Sequence, residues 1–184
     1  MKLKINITRK GAIISLSVLI ATLFVDLITK LLVINNMEIG QSIPLIKGVL
    51  NIKYITNEGA AFGMLADSRW VFMTVSALLI LFLTALILLW SDAGPLFYVS
   101  VSMILGGGIG NMIDRIAYGA VIDFIDFCAF PKLWSWIFNG ADSFVCVGAG
   151  LLILWYVLEE VKNYKKTKAQ AGESSDENDG SREG

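Results

Sequence analysis

A helical membrane protein with four spans and a small β-rich element at one surface is the fold class that this sequence predicts. Two observations point there. Of its 184 residues, 55% are apolar and only 17% charged, against roughly 45–50% and about 25% in soluble domains. The apolar residues also gather into charge-poor stretches near the length of about 20 residues that a bilayer-crossing helix needs. Mean hydropathy is accordingly high, at +0.67.

The first span is expected over about residues 11–34, apolar except for Asp26 and Lys30. Lys2, Lys4, Arg9 and Lys10 precede it and resemble the basic region of a signal peptide. The apolar stretch is too long for one, and no small-residue cleavage site follows, so it reads as a retained helix. Residues 43–57 are rich in Ile, Val and Tyr, with turn signals at Pro44 and Lys47-Gly48. They predict a short β-hairpin or small sheet. Trp70 to Ser91 is 22 residues without a charge, and Ala93 to Ile113 is 21 more. Asp92 and the turn-forming Gly94-Pro95 join these spans, 70–91 and 93–113, into a tight helical hairpin. Gly106 and Gly110 in the third span form a GxxxG face that permits close helix approach. Phe130, Trp134, Trp136 and Phe138 suit a membrane-interface belt. The fourth span is expected over about 139–160, with Asp142 in its first turn and Glu159-Glu160 at its end.

Lys162, Lys165, Lys166 and Lys168 follow the last span, and the first span is also preceded by basic residues. Basic flanks stay on the cytoplasmic side. Both termini are therefore expected in the cytoplasm, with the connections 35–69 and 114–141 outside, so the β-rich element is extracytoplasmic. Residues 1–168 form a single integral membrane domain. Residues 169–184, polar and acidic, are expected to be a disordered cytoplasmic tail.

Composition also excludes chemistries. There are no histidines, which removes a Ser-His-Asp triad, a Cys-His pair and any His-ligated zinc site. Cys128 and Cys146 are too few for a disulfide framework. A net charge of −1 carries no electrostatic footprint for nucleic acid.

Ionisable residues near apolar segments are the informative ones, because each costs roughly 2.5–3.5 kcal/mol at a helix centre. They are Asp26, Lys30, Asp114, Arg115, Asp123, Asp126 and Asp142. Asp26 and Lys30, four apart on one helix face, read as an internal salt bridge. Asp114-Arg115 reads as an ion pair at the end of the third span. Asp123 and Asp126 share a face if their segment is helical and oppose each other if it is extended. Asp142 suits a helix N-terminus. That reading explains one carboxylate but not several at one level. Two carboxylates at a shared site can hold one proton between them, activate water and protonate an amide leaving group. The residues thus permit an aspartic peptidase, without choosing which two pair. A transporter would also use intramembrane Asp and Lys, and a metal site would need more oxygen ligands than are evident.

Several motifs then carry a resemblance. DLITK at 26–30, TNEGAAFG at 56–63, GNMIDRIAYGAVIDFIDF at 110–127 and FNGADS at 138–143 stand in order. Over about residues 12–160 the chain resembles bacterial lipoprotein signal peptidase (signal peptidase II), a family of four-span aspartic endopeptidases. The resemblance implies a catalytic pair at Asp123 and Asp142. It implies binding or supporting roles for Asp26, Lys30, Asn57, Asn111, Asp114, Arg115 and Asn139. It implies removal of signal peptides from diacylglyceryl-modified prolipoproteins, with cleavage just before the lipidated cysteine. Segment 43–57 and Asn57-Glu58-Gly59 would then form a cradle over the substrate, with Gly59, Ala60 and Ala61 allowing close backbone approach. The expected setting is the bacterial cytoplasmic membrane, with the active site at the outer face. No metal or organic cofactor and no nucleic acid is implied; membrane lipid is the surroundings and a monomer the expected state.

Overall fold

In a computed structural model, which describes residues 6–59, 69–90, 93–129 and 136–180, the chain alternates long helices with short strands. The order is α1 (Arg9–Asn36), β1 (Ser42–Ile46), β2 (Leu50–Asn57), α2 (Arg69–Leu89), α3 (Gly94–Ala117), β3 (Val121–Phe127), β4 (Ile137–Phe138) and α4 (Gly140–Gly180). Among the described residues, four helices are long and apolar enough to cross a membrane. Their polarity is inverted relative to a soluble bundle. On α1, Ile20 and Phe24 are 57% and 64% exposed, while Asp26 and Lys30 are 0% and 2% exposed. Side chains that would be expensive on a water-facing surface are favourable against lipid, and the polar ones turn inward.

Glycines let α3 sit against its neighbours. A Cβ on Gly106 would lie 2.7 Å from Thr22 Cγ2 on α1, and one on Gly148 would lie 2.8 Å from the Ser100 carbonyl of α3. A Cβ on Gly107 would run into the Ala141 carbonyl, and one on Gly110 into the Asp26 carboxylate. The expected GxxxG face is thus used against both α1 and α4. Where lipid removes the hydrophobic drive between helices, such close approach is a main source of association. Around it, Leu83, Phe97, Tyr98, Val101 and Leu105 form an apolar core. The Trp155 indole donates to the Ala93 carbonyl at 2.7 Å, and Tyr98 to the Trp90 carbonyl at 2.9 Å. These bonds tie down the α2–α3 turn.

The strands form one antiparallel sheet in the order β1-β2-β3-β4. The expected hairpin is β1–β2, turned at Gly48 with φ +76°. The second connection contributes β3, which pairs Ile55 with Asp123 and Asn57 with Val121. Val33, Tyr54, Ile122 and Phe124 make a second apolar cluster that seats the sheet on the end of α1. The polar site lies between the two cores.

Boundaries differ from expectation in two places. The third helix continues past residue 113 to Ala117, so Asp114 and Arg115 lie in its last turn. It stops before Gly119, whose φ of +82° favours glycine and breaks the helical path. The fourth helix continues to Gly180, through most of the segment expected to be disordered. Extending an existing helix costs far less than nucleating one, and Lys, Ala and Gln at 165–171 are good helix formers. Ala60, Ala61, Phe130 and Trp134 lie outside the described residues.

Candidate active site

Each supporting element brings its polar side chain for a local reason. Strand β3 alternates its faces, so Asp123 and Asp126, three apart, point opposite ways. Asp123 turns inward and is 2% exposed. Asp126 turns away and accepts from Asn51 Nδ2 at 3.1 Å. The extended alternative is therefore the one realised, and it removes Asp126 from the site.

Asn139 stands immediately before α4 and makes a reciprocal cap. Its Oδ1 accepts from the Asp142 backbone N–H at 2.9 Å, and its own N–H donates to Asp142 Oδ2 at 3.3 Å. This is the capping-box arrangement with Asn and Asp in the two roles. The expected helix-end role of Asp142 is thus real, but it occupies only one of its oxygens. The other, Oδ1, accepts from Asn111 Nδ2 on α3 at 2.7 Å.

Amides connect the two carboxylates. Asn139 Nδ2 donates to Asp123 Oδ1 at 2.8 Å and to Asn111 Oδ1 at 3.0 Å. Asn57 Nδ2, from β2, donates to Asp123 Oδ2 at 3.0 Å. Burial pushes the Asp123 carboxyl up to about 7; the negative charge of Asp142 adds to this, and the Asn57 and Asn139 hydrogen bonds oppose it. Asp123 and Asp142 thus share one electrostatic site and are joined through Asn111 and Asn139.

Below the pair lies a buried charged cluster. Lys30 Nζ is 2.8 Å from Asp26 Oδ2, 2.8 Å from Asp114 Oδ2 and 3.1 Å from Asn111 Oδ1. Asp26 Oδ1 accepts the Ala141 N–H at 2.7 Å, and Asp114 Oδ2 accepts the Ile122 N–H at 3.1 Å. The Asp26–Lys30 bridge is present, but as part of a cluster that holds the start of α4 and the start of β3. The expected Asp114–Arg115 ion pair is replaced, because Lys30 claims Asp114. Arg115 instead donates to the Asn111 carbonyl at 3.3 Å and lies over the Phe72 ring at 5.8 Å. It sits in the field of Asp142, Asp123 and Asp114.

The nine residues to which the family resemblance gave a role thus fall in or around one site, between β2, β3 and the helices α1, α3 and α4, while Asp126, also singled out in the sequence, lies outside it. Sequence reasoning missed Phe72, which carries no motif. It also missed the backbone N–H groups of Ala141 and Ile122. The spacing of Asn139 and Asp142 was a readable capping signal. Among the described residues, no three acidic or sulfur side chains are placed to hold a metal ion.

Membrane-length helices around a site of buried carboxylates, in a chain without histidine, make this a multi-pass membrane protein with a polar site of carboxylates and amides. A family model for signal peptidase (SPase) II matches residues 18–158. The lipoprotein signal peptidase of Halothermothrix orenii is 40% identical over 144 residues, which cover 78% of this chain and 94% of that one. That of Symbiobacterium thermophilum is 40% identical over 153 residues, covering 81% and 97%. A bacterial membrane enzyme solved by the in meso method at 2.3 Å resolution superposes with a TM-score of 0.69 at 31% identity, covering 89% of this chain and 96% of that one. The chain belongs to the signal peptidase II family and is a membrane protease.

Proposed function

We propose that the protein removes signal peptides from diacylglyceryl-modified prolipoproteins, cleaving before the lipidated cysteine, with Asp123 and Asp142 as its catalytic pair. The observation that carries this reading is the joining of these two carboxylates, from β3 and α4, through the amides of Asn111 and Asn139. The curated relatives are named lipoprotein signal peptidases, which supplies the substrate class.

Asp123 is the more buried member and keeps its proton up to about pH 7, so it holds the proton of the pair. Ionised Asp142 takes a proton from water as the water oxygen bonds to the scissile carbonyl carbon. Asp123 donates to the carbonyl oxygen. When the C–N bond breaks, the proton gained by Asp142 passes to the departing amine, and a hydroxyl of the gem-diol returns its proton to Asp123 as the carboxylic acid product forms, so the pair again holds one proton. In this reading Arg115 and Asn57 hold the substrate backbone. No metal or organic cofactor enters the scheme.

The site lies at the outer face of the bacterial cytoplasmic membrane, with both termini in the cytoplasm. Support comes from the basic residues flanking the first and fourth helices. The β1–β2 hairpin and β3 then lie where a lipid-anchored substrate would enter from the outer leaflet. A monomer suffices, because residues of one chain enclose the site.

The test is processing of a lipidated prolipoprotein by the purified protein and by its Asp123→Asn and Asp142→Asn variants. Asn keeps size and polarity, so each variant is expected to insert and fold but not cleave. Robust cleavage by either folded variant would reject the pair. Loss of wild-type cleavage in EDTA, restored by a divalent ion, would favour a metal mechanism.

A further inference from the structure

Lys30 is 2% exposed, and its ammonium offers three N–H donors and no acceptor. Two of its contacts, Asp26 and Asp114, are carboxylates that more than offset its charge. The third is a neutral amide oxygen, Asn111 Oδ1, which charge balance does not require. That contact has a consequence for every amide above it. An ammonium accepts nothing, so Asn111 must present its oxygen to Lys30 and turn its Nδ2 the other way, onto Asp142 Oδ1 at 2.7 Å. The same oxygen receives Asn139 Nδ2 at 3.0 Å. Asn139 is therefore also fixed, with Nδ2 toward Asp123 and Oδ1 toward the Asp142 N–H. A flipped Asn111 would set its amide hydrogens against an ammonium and another amide.

We propose that Lys30 is a positioning residue for the Asp123–Asp142 pair, its ammonium fixing the Asn111 and Asn139 amides so that one donates to each carboxylate. The proposal rests on the reading of these two residues as the catalytic pair. It separates Lys30 from a plain internal salt bridge, which would hold the helices together without adding to the contacts that direct the amides.

Lys30→Met would leave Asp26 and Asp114 buried without a counter-charge, which can unfold the protein. The variant to use is Lys30→Met with Asp26→Asn and Asp114→Asn, which removes the ammonium together with both carboxylate charges it pairs. Cleavage of a lipidated prolipopeptide by the full-length protein in detergent is measured alongside thermal unfolding, in the wild-type and Asn111→Ala backgrounds. In the wild-type background kcat is expected to fall about 10- to 100-fold, the range for losing a hydrogen bond to a charged group, with KM within about threefold. In the Asn111→Ala background the same changes should lower kcat by less than about threefold, because residues acting through one partner are not additive. Equal losses of kcat in both backgrounds would overturn the proposal. So would an unchanged kcat, or a raised KM at constant kcat. A balanced variant that unfolds while Asn111→Ala stays folded would assign Lys30 a purely structural role, and also overturn it. Cleavage by folded Asp123→Asn or Asp142→Asn would instead remove the pair itself, whatever the Lys30 variants do.

Discussion

Near the α2–α3 turn the helices meet through Leu83, Phe97, Tyr98, Val101 and Leu105; near the sheet, α1, α3 and α4 meet through Asp26, Lys30, Asn111, Asp114 and Asn139. Helix α3, common to both regions, thus changes the means by which it is held along its length. In the first region close packing suffices, and two buried hydroxyls, on Ser15 and Ser102, have no hydrogen-bond partner among the described residues. In the second, the buried carboxylates and the ammonium all have partners. Buried charges are costly unless paired and hydrogen-bonded, and an apolar replacement often holds a fold as well. A polar core retained beside an apolar one that does the same structural work therefore points to chemistry rather than cohesion.

Breaking each region should separate stability from activity. The largest effect belongs to the pair. Asp123→Asn and Asp142→Asn should each lower cleavage by at least about 10²–10⁴-fold, the range for acid–base groups. Asp126→Asn, whose carboxylate faces Asn51 on the other side of β3, should cleave near the wild-type rate. A prolipopeptide assay on the three folded variants checks this. If Asp126→Asn were as inactive as Asp123→Asn, the orientation of β3 would be wrong.

Arg115→Lys comes next. Arg115 reaches the Asn111 carbonyl and covers Phe72, and Lys cannot reproduce a planar fork at both. A loss of about 10- to 100-fold in kcat/KM is expected, with a lower unfolding temperature. A variant unchanged in both would remove Arg115 from the site.

Leu105→Ala probes the apolar region. Leu105 is 6% exposed, and truncation there should cost about 2–5 kcal/mol of stability through the cavity it leaves. Turnover per folded molecule should stay within about twofold. A specific loss of kcat without a loss of stability would show that the two regions are coupled.

Truncation after Lys168 should do least, because the remaining residues are almost without apolar side chains. Insertion and cleavage are expected to stay near wild type in a membrane-fraction assay. A well-inserted truncation with strongly reduced turnover would give the α4 extension a role.

How much of this was legible in the sequence varies with the physics. The spans were, because a run such as Trp70–Ser91 has one interpretation when no charge interrupts it. The β1–β2 hairpin was legible from Lys47-Gly48 and its Ile-rich flanks. The motifs that resemble a known family supplied the pairing of Asp123 with Asp142, which spacing alone left open. Strand β3 was ambiguous, since VIDFIDF is rich in β-branched and aromatic residues yet places its two Asp at a helical spacing. Its choice is made by long-range pairing with β2, which a local pattern does not contain. The partner of Asp114 was misread for the same reason. Arg115 is its sequence neighbour, but Lys30 is its spatial one. The end of α4 went the other way, because composition argued for disorder while helix propagation carried the chain to Gly180.

The state of the pair is the central claim, and Asp123 carries it. Its carboxyl rises from an ordinary 3.8 to about 7. Between those values the folded protein holds a proton that the unfolded chain has lost. This group's contribution to stability therefore falls as pH rises through that window and levels off above it. The most direct measurement is infrared difference spectroscopy of the folded protein across pH 5 to 9, read at the protonated-carboxyl stretch and run in parallel with Asp123→Asn. A protonated-carboxyl band should fade near pH 7 in the wild type, in step with cleavage, and be missing from the Asp123→Asn difference spectrum. A wild type with no such band at pH 5 to 6, or a band that titrates unchanged in Asp123→Asn, would contradict it.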